Sequence, residues 1–141
     1  MKLKGHVILG LIILNILILS GCTDQNTDKN TNGQEQTSYI DITAAEAKEL
    51  IDNTTDLIII DVSPHYDQGH IPGAVNYYLG DGSLDEAIPT LDITKPYLVY
   101  CHVDSVSISG AQKLVDAGIS TVYRLEGNYQ AWVDAGYPIE T

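Results

Sequence analysis

Two unbroken apolar runs of strand length, Leu57-Ile58-Ile59-Ile60 and Tyr97-Leu98-Val99-Tyr100, restrict the fold more than any other feature of the chain. A strand with one wet face alternates apolar and polar residues, so continuous runs predict parallel strands covered on both faces. The first run ends in Asp61 and the second in Cys101. Around them strand and helix signals alternate. Tyr39 to Ile42 reads as a short strand, and Thr43 caps a helix over Thr43–Asn53, with Glu46 three residues on as in a capping box. The tract Gly69-His70-Ile71-Pro72-Gly73 makes a loop, with a short strand at Ala74–Asn76 and a brief helix at Ser83–Ile88 after it. Ile108, Ala111, Leu114 and Val115 have helical spacing, which predicts a helix over Ser107–Ala117 that stops at Gly118. A strand at Thr121–Arg124 and a helix at Tyr129–Asp134 follow. The pattern is that of an α/β fold, a parallel sheet with helices on both faces in which ligands lie beyond the carboxyl ends of the strands. Cys101 stands at such an end.

The chain has 141 residues, enough for one domain with a core. Its first part is organised differently. Lys2 and Lys4 precede the apolar run Val7–Leu19, which is interrupted by Gly10 and Asn15 and gives way to Ser20-Gly21-Cys22. That run is shorter than the about 20 apolar residues of a stable membrane span, and its order is that of a secretory signal. Leu19-Ser20-Gly21-Cys22 resembles a lipoprotein signal box, which implies that residues 1–21 are removed and Cys22 carries the lipid. Anchorage to the outer face of the cell membrane is then expected. Residues 22–38 are polar and read as a disordered tether of about 20 Å reach, and the folded part is expected to span residues 39–141.

The net charge of −12 argues against an electrostatic grip on nucleic acid. Loss of Lys2 and Lys4 would leave five basic residues against nineteen acidic ones, a balance of −14. The two cysteines exclude a disulfide framework and a four-cysteine zinc site. With Cys22 lipidated, Cys101 has no partner within the chain. A cysteine between a buried strand and a helix N-terminus receives free backbone N–H groups, which favour the reactive thiolate. The loop His102-Val103-Asp104-Ser105-Val106-Ser107 is short, polar and free of proline, suited to wrap around one sulfur atom.

Four segments agree in order and spacing with a known family. They are Asp61-Val62 after a buried strand, Gly69-His70-Ile71-Pro72-Gly73-Ala74, Tyr100-Cys101, and Tyr123 to Gly127 running on through Trp132 to Ala135-Gly136-Tyr137-Pro138. Together they resemble the rhodanese homology domain over roughly Tyr39 to Thr141. The resemblance implies a rhodanese-like three-layer fold and a single-domain sulfurtransferase, with Cys101 carrying sulfane sulfur as a persulfide to a thiol or protein acceptor. Asp61, His70, Gly73 and Trp132 match framework positions. His70 reads as a hydrogen-bonding brace, Trp132 and Tyr137 as core. No cofactor or metal is implied, and a monomer is expected.

The chain departs from the family where many members carry arginine, having Ser63 and Val106 instead. Arg124, the only arginine, is expected at a strand end away from the sulfur loop. Asp104 would add negative charge near the thiol, so thiosulfate is expected to be a poor donor beside a neutral or protein-bound persulfide. A phosphatase loop needs arginine six residues after the cysteine, where Ser107 stands. His65, His70, Cys101 and His102 could supply metal ligands only if separate loops converged. His102 reads as solvated, and Ser105 and Ser107 as caps whose backbone amides face the sulfur. A tethered sulfur-binding or partner-docking module with this fold is the alternative to an enzyme.

Overall fold

A computed structural model describes residues 38–141. The signal segment, Cys22 and the tether up to residue 37 lie outside the described residues. Five strands, β1 (Ile40–Ile42), β2 (Ile58–Asp61), β3 (Val75–Asn76), β4 (Pro96–Tyr100) and β5 (Thr121–Leu125), form one sheet in the order β1-β5-β4-β2-β3. Every pairing is parallel. The helices are α1 (Ala44–Asn53), α2 (Ser83–Ala87), α3 (Asp104–Asp116) and α4 (Asn128–Asp134).

The central strands explain why the apolar runs are continuous. Tyr97 and Val99 of β4 and Ile60 of β2 enter a core shared with Leu84 of α2 and Ala111, Leu114 and Val115 of α3. Leu98, Tyr100 and Ile59 point to the opposite face, toward Ala47 of α1 and Trp132 of α4. Alternate residues of one strand thus serve two separate cores, so neither face tolerates a polar residue. Each buried aliphatic side chain contributes about 1.5–3 kcal/mol relative to exposure, which fixes the sheet in place. Trp132 is buried, and its indole N–H donates to the Pro138 carbonyl at 2.7 Å.

Helix α1 begins with the capping box expected from its sequence. The Glu46 amide donates to Thr43 Oγ1 at 3.3 Å and the Thr43 amide donates to the Glu46 carboxylate at 2.8 Å. These bonds hold the Glu46 carboxyl below the usual carboxylate range. Helix α3 departs from its expected start. It begins at Asp104, with the Val106 and Ser107 amides both donating to the Val103 carbonyl at 3.2 Å, so Ser107 lies inside the helix and is buried. Apolar spacing locates only the turns that touch the core, and this polar first turn follows the sulfur loop. The strand register places Asp61 beside Tyr100 at the carboxyl end of the sheet. No helix among the described residues is long and apolar enough to cross a membrane.

Replacing Thr43 by Ala removes the reciprocal cap. We expect stability to fall by about 1 kcal/mol, read as a lower urea midpoint with an unchanged slope.

Candidate active site

Cys101 leaves β4 at its carboxyl end with 1% of its surface exposed. The neighbouring backbone N–H groups of Val103 and His102 pull the thiol's pKa down and favour the thiolate. Burial nevertheless outweighs them, and the Asp61 charge adds to burial, so the thiol is pushed above its ordinary range. The expectation of a thiolate favoured at rest is corrected accordingly. The donors are in place, but the sulfur has lost more hydration than two amides replace.

The first turn of α4 holds this loop. The Cys101 amide donates to Asn128 Oδ1 at 3.2 Å, and the Tyr129 amide donates to the Cys101 carbonyl at 2.9 Å. Asn128 Nδ2 donates in turn to Asp104 Oδ1 at 2.5 Å. Asn128 follows Gly127 (φ 71°) and is itself left-handed, with φ 57°, the only described residue other than glycine with positive φ. Asparagine tolerates this region better than most residues. Asn128 belongs to no motif singled out in the sequence. The dipeptide Gly127-Asn128 was the available signal, since both members suit a left-handed turn.

Two expectations about charge are overturned here. Arg124 does reach the sulfur loop, because β5 is hydrogen-bonded to β4 with Arg124 beside Val99. Its Nη1 donates to Asp104 Oδ1 at 3.1 Å and to Ser107 Oγ at 3.4 Å, while Nε donates to Asp41 Oδ1 at 2.6 Å. Asp104 is therefore not a free charge bearing on the thiol. It is the acceptor at which Arg124 and Asn128 converge. Ser107 does not cap the helix with its side chain, since its hydroxyl donates to the Asp104 carbonyl at 3.0 Å.

His102 is likewise not a solvated side chain. Its ring stacks on Tyr129 at 4.6 Å and lies 5.3 Å from the ring of His65, and its Nε2 is buried without a hydrogen-bond partner. Burial lowers its pKa, against an opposing pull from Asp61. Asp61 is wholly buried and accepts the Ser63 amide on Oδ1 at 2.8 Å, while Oδ2 lacks a partner. Burial raises its pKa. The Tyr100 hydroxyl accepts the Ile71 amide at 3.0 Å and so ties the end of β4 to the Gly-rich loop.

That loop faces elsewhere. His70 stacks on Tyr66 at 3.7 Å, its Nδ1 lies 3.1 Å from the Tyr66 carbonyl, and its backbone exchanges two 2.9 Å bonds with Glu140. The Gly73 amide (φ 78°) donates to the Glu140 carboxylate at 3.2 Å. His70 and Gly73 thus fasten the C-terminal tail and are not drawn toward Cys101. Val103, Asp104 and Ser105 form the exposed side of the loop, and Val106 packs partly against the α3 core.

The rhodanese-like domain family profile matches residues 43–135. A thiosulfate sulfurtransferase GlpE from Coxiella burnetii is 38% identical over 96 residues, covering 67% of this chain and 87% of that relative. One from Pseudomonas savastanoi is 31% identical over 105 residues, covering 74% and 96%. Among solved structures, the Alr3790 protein of Anabaena superposes with a TM-score of 0.63 at 26% identity, covering 70% of this chain and 90% of that one.

Two outcomes follow from the geometry. Asn128→Ala loses both side-chain bonds and must hold a left-handed backbone, whereas Asn128→Gly keeps the backbone at ease. Alanine should cost about 1 kcal/mol more than glycine in denaturant unfolding. Burial of the thiol means that alkylation of Cys101 by iodoacetamide should be slow at neutral pH and still be rising above pH of about 9, rather than levelling off near pH of about 7.

Proposed function

The chain belongs to the rhodanese-like family, and from that premise we propose that it moves sulfane sulfur through a persulfide on Cys101. The observation that carries this reading is the position of Cys101, the one sulfur atom of the loop, at the carboxyl end of the central strand, where the neighbouring His102 and Val103 amides favour an anion. Those donors suit a thiolate or the outer sulfur of a persulfide equally, since both are compact anions. Loading is written Cys101–S⁻ + R–S–SH → Cys101–S–SH + R–S⁻. The donor's S–S bond breaks and its electron pair leaves with the donor thiolate. Delivery to an acceptor thiolate reverses the roles and restores Cys101–S⁻. No cofactor takes part.

The two GlpE relatives are named for thiosulfate. In this chain the loop holds no lysine or arginine, and Arg124 is bound to two carboxylates. A neutral or protein-bound persulfide is therefore the better donor, and thiosulfate the poorer one. We place the domain on the outer face of the cell membrane, held through a lipid on Cys22 and the tether of residues 22–38. A second reading draws on the 1% exposure of Cys101: a module that holds sulfur or docks a partner without turnover.

Mass spectrometry of the purified chain after exposure to a persulfide donor is expected to show one added sulfur on Cys101, lost on addition of an acceptor thiol and absent in Cys101→Ser. An adduct that no thiol removes would favour the holding module, and no adduct at all would sink persulfide transfer and favour the partner-docking module. Cys22→Ser is expected to move the protein from the membrane to the soluble fraction. Retention in the membrane would refute the lipid anchor.

A further inference from the structure

The Asp104 carboxylate stands where an incoming oxyanion would find its donors. Arg124 Nη1 and Asn128 Nδ2 come from two different elements and converge on the same oxygen, Asp104 Oδ1, at 3.1 and 2.5 Å. Both donor residues are buried, with Arg124 6% and Asn128 4% exposed, whereas the Asp104 side chain is 66% exposed. The donors are thus built into the fold and the acceptor sits on its surface. Arg124 is independently anchored at its other edge by Asp41, through the 2.6 Å bond from Nε. Asn128 is anchored by the Cys101 amide on Oδ1. Neither donor needs Asp104 to stay in position. Asn128 touches both Asp104 and the backbone amide of Cys101, so its donor joins the seat to the strand end that bears the sulfur.

We propose that Asp104 is a specificity-determining residue, its carboxylate occupying an oxyanion seat made by Arg124 and Asn128 next to Cys101 and so excluding small dianionic sulfur donors. The inference rests on the sulfur-transfer reading of Cys101 for its consequence, though not for the seat itself. A guanidinium edge and a carboxamide N–H are donors suited to sulfonate-type oxygens. With Asp104 present the seat is filled and carries a negative charge. With the side chain shortened, a thiosulfate dianion can rest its oxygens there. The Cys101 thiolate attacks the sulfane sulfur, the S–S bond breaks, and sulfite leaves with the electron pair, giving Cys101–S–S⁻. Cyanide then takes the outer sulfur as thiocyanate and returns the thiolate.

Sulfate, a dianion that cannot donate sulfur, reads the seat without reference to catalysis. Calorimetric titration of the full chain with sodium sulfate at constant ionic strength should show binding to Asp104→Ala and Asp104→Ser at least about tenfold tighter than to the wild type. Asp104→Asn removes the charge but leaves an oxygen in the seat, so it should stay within about threefold of the wild type. Thiosulfate:cyanide kcat/KM should rise by about tenfold in the alanine and serine variants. If neither gains sulfate affinity while retaining native circular dichroism, the seat does not exist. A gain in Asp104→Asn equal to that in Asp104→Ala would mean that net charge alone governs binding, and would also overturn the proposal. Should Asp104→Ala not fold, Asp104→Ser decides. Sulfate binding gained without sulfur transfer in any variant would support the seat and count against the sulfur-transfer reading.

Discussion

Both backbone groups of Cys101 are held by the first turn of α4, the amide by Asn128 Oδ1 and the carbonyl by the Tyr129 amide. This junction makes a reactive geometry out of a strand end. A buried peptide must find partners for its N–H and C=O, and β4 ends where its neighbours can no longer supply them. Asn128 and Tyr129 take over, and the following amides of His102 and Val103 favour an anion on the sulfur. The requirement is specific about backbone shape. Asn128 meets it only at φ 57°, just after Gly127 at φ 71°. Local strain of this kind persists where the surroundings over-determine it, and the Asn128 side chain is held by bonds to Cys101 and Asp104.

Electrostatics around the loop are settled by pairing more than by net charge. The chain is acidic by twelve charges, yet the carboxylate closest to the loop in sequence is matched by the only arginine. Arg124 bridges Asp41 on the edge strand β1 and Asp104 at the head of α3, so β5, β1 and α3 meet around one guanidinium, and α4 joins them through the bond from Asn128 to Asp104. Most of the arginine is removed from water, and paired carboxylates offset the cost of burying its charge. On the other side of Cys101, Asp61 and His102 keep one unpartnered atom each and shift one another's proton affinity. The site therefore sits between ion pairs gathered on Arg124 and two buried polar atoms without partners, Asp61 Oδ2 and His102 Nε2. The buried thiol is governed by its own desolvation as much as by either.

Much of this is legible in the sequence. The runs ending in Asp61 and Cys101 gave parallel strands covered on both faces, because two cores demand apolar residues on each side of a strand. Thr43 and Glu46 gave a helix start, because a capping box is a contact between residues three apart. The sequence predicts the start of α3 three residues late, since Asp104 and Ser105 are polar and exposed and leave no periodic trace. Arg124 and Asn128 were misplaced or passed over for a related reason. Their partners are 17 to 83 residues away in the chain, and no local pattern records such contacts.

The sequence by itself determined the family, the α/β architecture and the position of Cys101 at a strand end, because apolar continuity, capping and turn chemistry are properties of neighbouring residues. Only the tertiary structure decided the charge environment of that cysteine. Strand order placed β5 beside β4 and so brought Arg124 and Asn128 to the loop. Closure of the two cores withdrew the sulfur from water and reversed the expected direction of its pKa. Desolvation and long-range pairing depend on which elements become neighbours, and that is fixed when the sheet assembles.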